Sequence, residues 1–150
     1  MLKRRHFLTT AALVAIAHPV LAAPGTPPIK AKLYHDPGCA CCGAYARYLD
    51  KNGFDVTLKS SNDLTAVNRR LGIPEAVAGC HAMVLQDGYV VSGLVPVAAI
   101  RKLLAERPDI RGISLPGMPP GAPGMMGEKT AKFTIMAIAK DGTSYVFDTI

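Results

Sequence analysis

Residues 29–60 read IKAKLYHDPGCACCGAYARYLDKNGFDVTLKS, two strand patterns with a helical pattern between them. Residues 29–35 alternate apolar and polar side chains, as a strand with one buried face does. Pro37-Gly38 turns the chain into GAYARYLDKNG, which places Tyr45, Tyr48 and Leu49 on one helical face. Gly53 is positioned to stop that helix in the left-handed conformation. FDVTLKS follows as a second strand, with Phe54, Val56 and Leu58 on one side. Strand, helix, strand is the unit from which α/β sheets grow. The turn into the helix carries three cysteines, Cys39, Cys41 and Cys42.

Toward the C-terminus, SNDLTAVNRRLGI opens with capping residues and sets Leu64, Val67 and Leu71 at helical spacing. AMVL and YVV then flank Asp87-Gly88, a tight hairpin signal, and PVAAIRKLLAERP reads as a helix opened by Pro96 and closed before Pro108. The order strand, helix, strand, helix, strand, strand, helix predicts an α/β fold of thioredoxin-like layout, a small central mixed sheet flanked by helices. LPGMPPGAPGMMG, residues 115–127, has four prolines and four glycines, which excludes helix and ordinary strand. KFTIMAIAKDGTSYVFDTI is expected to add a C-terminal β-hairpin extension turning at Asp141-Gly142.

Toward the N-terminus, MLKRR is basic, TTAALVAIA is a short apolar run, and VLAAPG supplies small residues. These predict a signal peptide over residues 1–23, cleaved near Ala22 or Ala23. The run is too short to span a bilayer, so an integral membrane protein is not expected. Arg4-Arg5 with Phe7 and Leu8 resemble a twin-arginine signal. Residues 24–30 are expected to be a flexible lead-in, and 31–150 a single domain in the periplasm, an oxidising compartment. Without Lys3, Arg4 and Arg5 the seventeen basic residues become fourteen against eleven acidic ones, near +3. They are scattered, with no basic run to hold nucleic acid.

Cys39 and Cys42 have Cys-x-x-Cys spacing at a helix start, where unpaired N–H groups and the helix dipole favour thiolate. Thiolate is both a nucleophile and a soft-metal ligand, so dithiol redox work, structural disulfides and metal binding all start from this pattern. A third thiol at Cys41 invites mispairing in a redox catalyst, whereas extra thiolates help bridge soft cations. On a regular helix Cys41 points away from Cys39 and Cys42, so convergence requires an irregular first turn. The fourth cysteine, Cys80, stands with His81 just before the third strand, beside the Cys-x-x-Cys turn in a thioredoxin-like layout. Typical oxidoreductases of that layout carry a cis-proline there, but the nearest proline is Pro74. The balance favours metal. Zinc ranks last, because adjacent Cys41 and Cys42 suit a regular tetrahedron poorly. His35 is expected to end the first strand, and Tyr34, Tyr45 and Tyr48 to pack. Met118, Met125 and Met126 could offer thioethers, though anchoring an irregular loop explains them more simply.

YHDPGCACCGAYARYL, GIPEAVAGCHAMVLQDGYVVSGLVP and LPGMPPGAPGMMG resemble the three sequence blocks of the CopG-like periplasmic copper-resistance family, over roughly residues 30–148. The resemblance implies a thioredoxin-like protein holding copper as Cu(I) in a multinuclear, cysteine-bridged cluster, with a role in redox handling that includes Cu(II). It implies Cys39, Cys41, Cys42 and Cys80 as ligands, with His81 matching the motif as a further candidate. Copper ions and other periplasmic copper-handling proteins are the implied partners. Ala82 stands where the family favours threonine, which removes a hydroxyl from the neighbourhood of the sulfurs. The rival expectation is an enzyme, a thiol–disulfide oxidoreductase with Cys39 as nucleophile and Cys42 as resolving thiol.

Overall fold

The computed structural model describes residues 27–150. The expected signal peptide over 1–23, its cleavage site and residues 24–26 of the lead-in lie outside the described residues. The chain forms β1 (Ile29–His35), α1 (Ala40–Asp50), β2 (Phe54–Ser60), α2 (Leu64–Leu71), a short 3₁₀ turn at Glu75–Val77, β3 (His81–Leu85), β4 (Val90–Gly93), α3 (Val97–Glu106), β5 (Gly112–Leu115), β6 (Thr134–Ile138) and β7 (Ser144–Thr149). Ile29 and Lys30, counted with the lead-in from sequence, are the first residues of β1.

All seven strands belong to one mixed α/β sheet in the order β2-β1-β3-β4-β5-β6-β7. β1 and β2 are parallel, as are β4 and β5, and the other neighbours are antiparallel. Two features correct the expectation of a small sheet with an appended hairpin. β5 was not anticipated: Gly112 and Ser114 interrupt its apolar pattern, yet all four residues are buried because strands flank it on both sides. β5 also pairs with β6, so the C-terminal hairpin continues the main sheet.

The strands alternate between two cores. On one face Leu33, Met83, Val91, Ile113 and Ile135 meet Tyr45 and Leu49 of α1 and Ile100 and Leu103 of α3. On the other, Ala82, Val90 and Ile138 meet Val67 of α2 with Ile73 and Val77 behind it. Asp63 caps α2, its side chain accepting from Ala66 N at 2.8 Å, and Gly72 closes the helix with φ 67°. The same closure was expected of Gly53, but α1 ends through Lys51 in the right-handed conformation, and Gly53 (φ 84°) instead makes the turn into β2. β2 is an edge strand, so the predicted buried stripe fades along it: Phe54 is buried and Leu58 is exposed.

Candidate metal centre

β1 ends at His35, as expected, and its ring Nδ1 lies 2.8 Å from the Asp36 carbonyl. The chain turns through Asp36, whose carboxylate accepts from Gly38 N at 2.8 Å, and whose carbonyl accepts from Cys39 N at 3.0 Å. Cys39 is the N-cap of α1, with extended backbone (φ −77°, ψ 92°), and Cys41 and Cys42 follow within the first helical turn. The irregular start required for convergence is therefore the cap itself. Cys39, outside the helix, is free to turn its side chain toward both later thiols.

Cys80 arrives from the other side of the sheet. The segment 77–81 is fastened by two buried serines that face each other across β4 and β5, Ser92 and Ser114. The Ser114 hydroxyl donates to the Val77 carbonyl. The Ser92 hydroxyl accepts from Gly79 N at 2.8 Å and donates to the His81 carbonyl at 3.2 Å, bracketing Cys80. Between these bonds Gly79 presses on Gly93: a Cβ at 79 would lie 2.3 Å from the Gly93 Cα. Only glycine lets the Cys80 segment lie this close to β4. Neither serine carried a signal in the sequence. A buried hydroxyl that serves only backbone groups looks the same as any strand serine.

The outcome is a compact group of sulfurs. The Sγ atoms of Cys39, Cys41, Cys42 and Cys80 all lie within 4.8 Å of one another. Cys39 and Cys42 are joined as a disulfide, and Cys41 and Cys80 are free thiols. Cys41 Sγ sits 3.3 Å from Cys39 Sγ and 3.5 Å from Cys80 Sγ. Cys42 is fully buried, whereas the other three are partly open.

His81 completes the arrangement. It is fully buried, with Nδ1 3.5 Å from Cys80 Sγ and 3.9 Å from Cys42 Sγ. Its ring lies 4.8 Å, centroid to centroid, from that of Tyr45. Nε2 has no hydrogen-bond partner among the described residues. Burial, and then the charge of His35 across the β1–β3 ladder, lower its pKa to about 4, with the Gly93 backbone offsetting part of the shift. The imidazole is therefore neutral at pH 7 and able to present a lone pair. The Cys80 thiol is pushed up to about 12 by burial, then by the hydrogen bond and charge of Cys41. Metal-free Cys80 thus stays protonated, and a bound cation would reverse that balance.

The donor set fits a thiophilic metal. Four clustered sulfurs with a neutral imidazole alongside, and no carboxylate among them, suit a soft cation and disfavour a hard one. Two open grooves, about 470 and 530 Å³, lie elsewhere on the surface, and neither is lined by a cysteine.

Two solved structures of copper resistance protein CopG share this architecture. Form 2 matches with a TM-score of 0.75 at 36% sequence identity, and form 1 with 0.75 at 37%; each match covers 82% of this chain and 98% of the other. The chain belongs to the CopG family. The family model described as "protein of unknown function, DUF411" matches residues 77–125. That segment contains Cys80, His81, both fastening serines and most of the Pro/Gly/Met loop, but not the first three cysteines. No curated protein matches the chain.

Proposed function

We propose that this CopG-family chain is an exported periplasmic protein that holds copper as Cu(I) in a multinuclear cluster and serves copper resistance. The thiolates of Cys39, Cys41, Cys42 and Cys80 bridge the ions, and His81 lines the cluster as a further ligand through Nδ1. The observation that carries this is the convergence of four sulfurs within 4.8 Å from two segments far apart in sequence. Supporting it, two CopG structures named for copper resistance share the fold at more than a third identity. We read the β2-β1-β3-β4 portion, with α1 and α3 on one face, as a thioredoxin-like unit to which β5, β6 and β7 are added.

Copper is cargo here, and the protein supplies the sulfurs. Opening the Cys39–Cys42 disulfide by an external dithiol, which is itself oxidised to a disulfide as it gives up two electrons and two protons, yields the second pair of thiols. The disulfide and the four-thiol form are then two states of one site, the first suited to a metal-free protein in an oxidising compartment. Cycling between Cu(I) and Cu(II), one electron per ion, is part of the proposed role. Cys80→Ser is expected to lower the copper bound per chain, and unchanged copper content in that variant would break the four-ligand assignment.

A second reading has a specific observation in its favour, the disulfide at the Cys-x-x-Cys pair. A thiol–disulfide oxidoreductase would reduce insulin when metal-free, lose that activity in Cys39→Ser and keep it in Cys41→Ser.

A further inference from the structure

β2 is the edge of the sheet on the α1 and α2 side, and among the described residues no strand pairs with its outer flank. It follows β1 residue for residue over Phe54–Ser60, with neither a bulge nor a proline to guard the edge. The backbone settles which groups are left over. Ile29 N donates to the Gly53 carbonyl at 3.0 Å, and Ser61 N donates to the His35 carbonyl at 2.9 Å. Backbone groups alternate in direction along a strand, so the odd-numbered residues of β2 turn theirs toward β1. Phe54, Val56, Leu58 and Ser60 turn their N–H and C=O groups outward.

The side chains along this edge are complementary to themselves. Residues 55–59 read DVTLK. When a second copy lies antiparallel with Thr57 opposite Thr57, Asp55 of each copy meets Lys59 of the other, and Val56 meets Leu58. A two-fold axis repeats both contacts. Val56 and Leu58 then exchange their outward backbone groups as hydrogen-bonded pairs. Thr57 and the Asp55–Lys59 pairs take the alternate positions, where side chains approach more closely. Faces match as well: Asp55, Thr57 and Lys59 share one side of the sheet, Val56 and Leu58 the other. Shifting the register by two residues either way sets both charges opposite uncharged residues.

The groups involved are available. Leu58 is 44% exposed, an apolar side chain that the pairing would cover. Asp55 and Lys59 are exposed, and among the described residues neither forms an ion pair within its own chain. A lone lysine on an edge ordinarily repels other strands, but here Asp55 supplies its counter-charge. The opposite edge offers no such match. The pairing of β6 with β7 is interrupted by a register shift at Ile135/Met136, and SYVFDT holds Asp148 but no cation.

We propose that two copies of this chain pair edge to edge through β2, antiparallel about Thr57, so that their sheets become one continuous sheet. β1 and β2 are parallel, so the antiparallel partner carries its own cysteine cluster to the opposite end of the joined sheet. Both metal centres stay open. The pairing is independent of which metal the cysteines hold.

Sedimentation equilibrium of the metal-free mature protein tests this, with a phosphine reductant present to exclude intermolecular disulfides. The concentration runs from about 10 μM to about 1 mM, the range suited to a contact confined to one strand pair. The parent is expected to show a reversible monomer–dimer equilibrium. D55K sets like charges against each other at both ends of the contact and is expected to weaken association about tenfold. The double variant D55K/K59D restores opposite charges in reversed order and is expected to recover the parent's association. Both positions are exposed, so the exchanges leave the core untouched. A parent that stays monomeric throughout would overturn the proposal. So would a dimer indifferent to D55K, or a D55K defect that the double variant does not repair.

Discussion

Replacing Gly79 with alanine puts one methyl group where the structure has no room, three bonds from the backbone nitrogen of Cys80. The new Cβ would lie 2.3 Å from the Gly93 Cα and 2.5 Å from its N, against an ordinary contact of at least 3.4 Å. Relief takes about 1.1 Å of movement, the difference between 3.4 and 2.3 Å. Gly93 cannot supply it, because it is paired with Leu115 on its other side, where a Cβ would already lie 2.3 Å from the carbonyl oxygen. The displacement therefore falls on residues 79 and 80. It strains both bonds to Ser92 and draws Cys80 Sγ away from Cys41 Sγ, now 3.5 Å distant. Overpacking costs about 1–3 kcal/mol in a typical core, and backbone on both sides places this case near the top of that range. Urea denaturation of the metal-free protein measures the loss, and copper per chain after desalting measures the damage to the site. Gly43→Ala is the control: Gly43 lies inside α1, its nearest neighbour is the flexible end of Arg47 at 3.7 Å, and alanine there is expected to stabilise by about 0.5–1 kcal/mol. Parent-like stability and copper content in Gly79→Ala would refute the close approach as the device that seats Cys80.

Ser92→Ala removes both bonds that bracket Cys80 and is expected to cost about 2 kcal/mol by denaturation, with reduced copper retention; a loss of stability without a loss of copper would show that Ser92 does not position the site. Tyr45→Phe leaves the buried Val95 carbonyl, now accepting at 2.7 Å, without its donor; about 1–2 kcal/mol of stability should be lost with copper stoichiometry unchanged. His81 gives a pH test. Its folded pKa of about 4 lies below the ordinary value of 6.5, so between these values the unfolded chain carries a proton that the folded chain does not. Stability of the metal-free protein should therefore fall as pH drops from 6.5 to 4, by about 3 kcal/mol from this residue. His81→Gln should lack that contribution, and an equal pH dependence in the variant would place the loss elsewhere.

The first strand, all three helices and the Asp87-Gly88 turn were legible because local patterns agree there with the final packing. β5 was not, because a four-residue strand with Gly112 and Ser114 at alternate positions owes its existence to neighbours that pair with it from far along the chain. At the site, Cys39, Cys41 and Cys42 announced themselves by spacing, and Cys80-His81 by its place at the start of β3. The supports of the site were silent. Gly79 and Gly93 matter through a contact between residues fourteen apart, and Ser92 and Ser114 through hydrogen bonds to backbone, which leave no side-chain pattern to read. Gly124 sits in a stretch whose composition announces a loop without saying what it lies against.

The central claim is that four cysteine sulfurs form one copper site. Its most direct test is an anaerobic titration of the fully reduced mature protein with Cu(I), followed by desalting and measurement of copper per chain and of thiolate-to-copper charge-transfer absorption. Retention of more than one copper per chain, with that absorption, is the predicted result. A protein that retains no copper while its thiols are reduced would contradict the account and leave the Cys39–Cys42 pair to electron exchange.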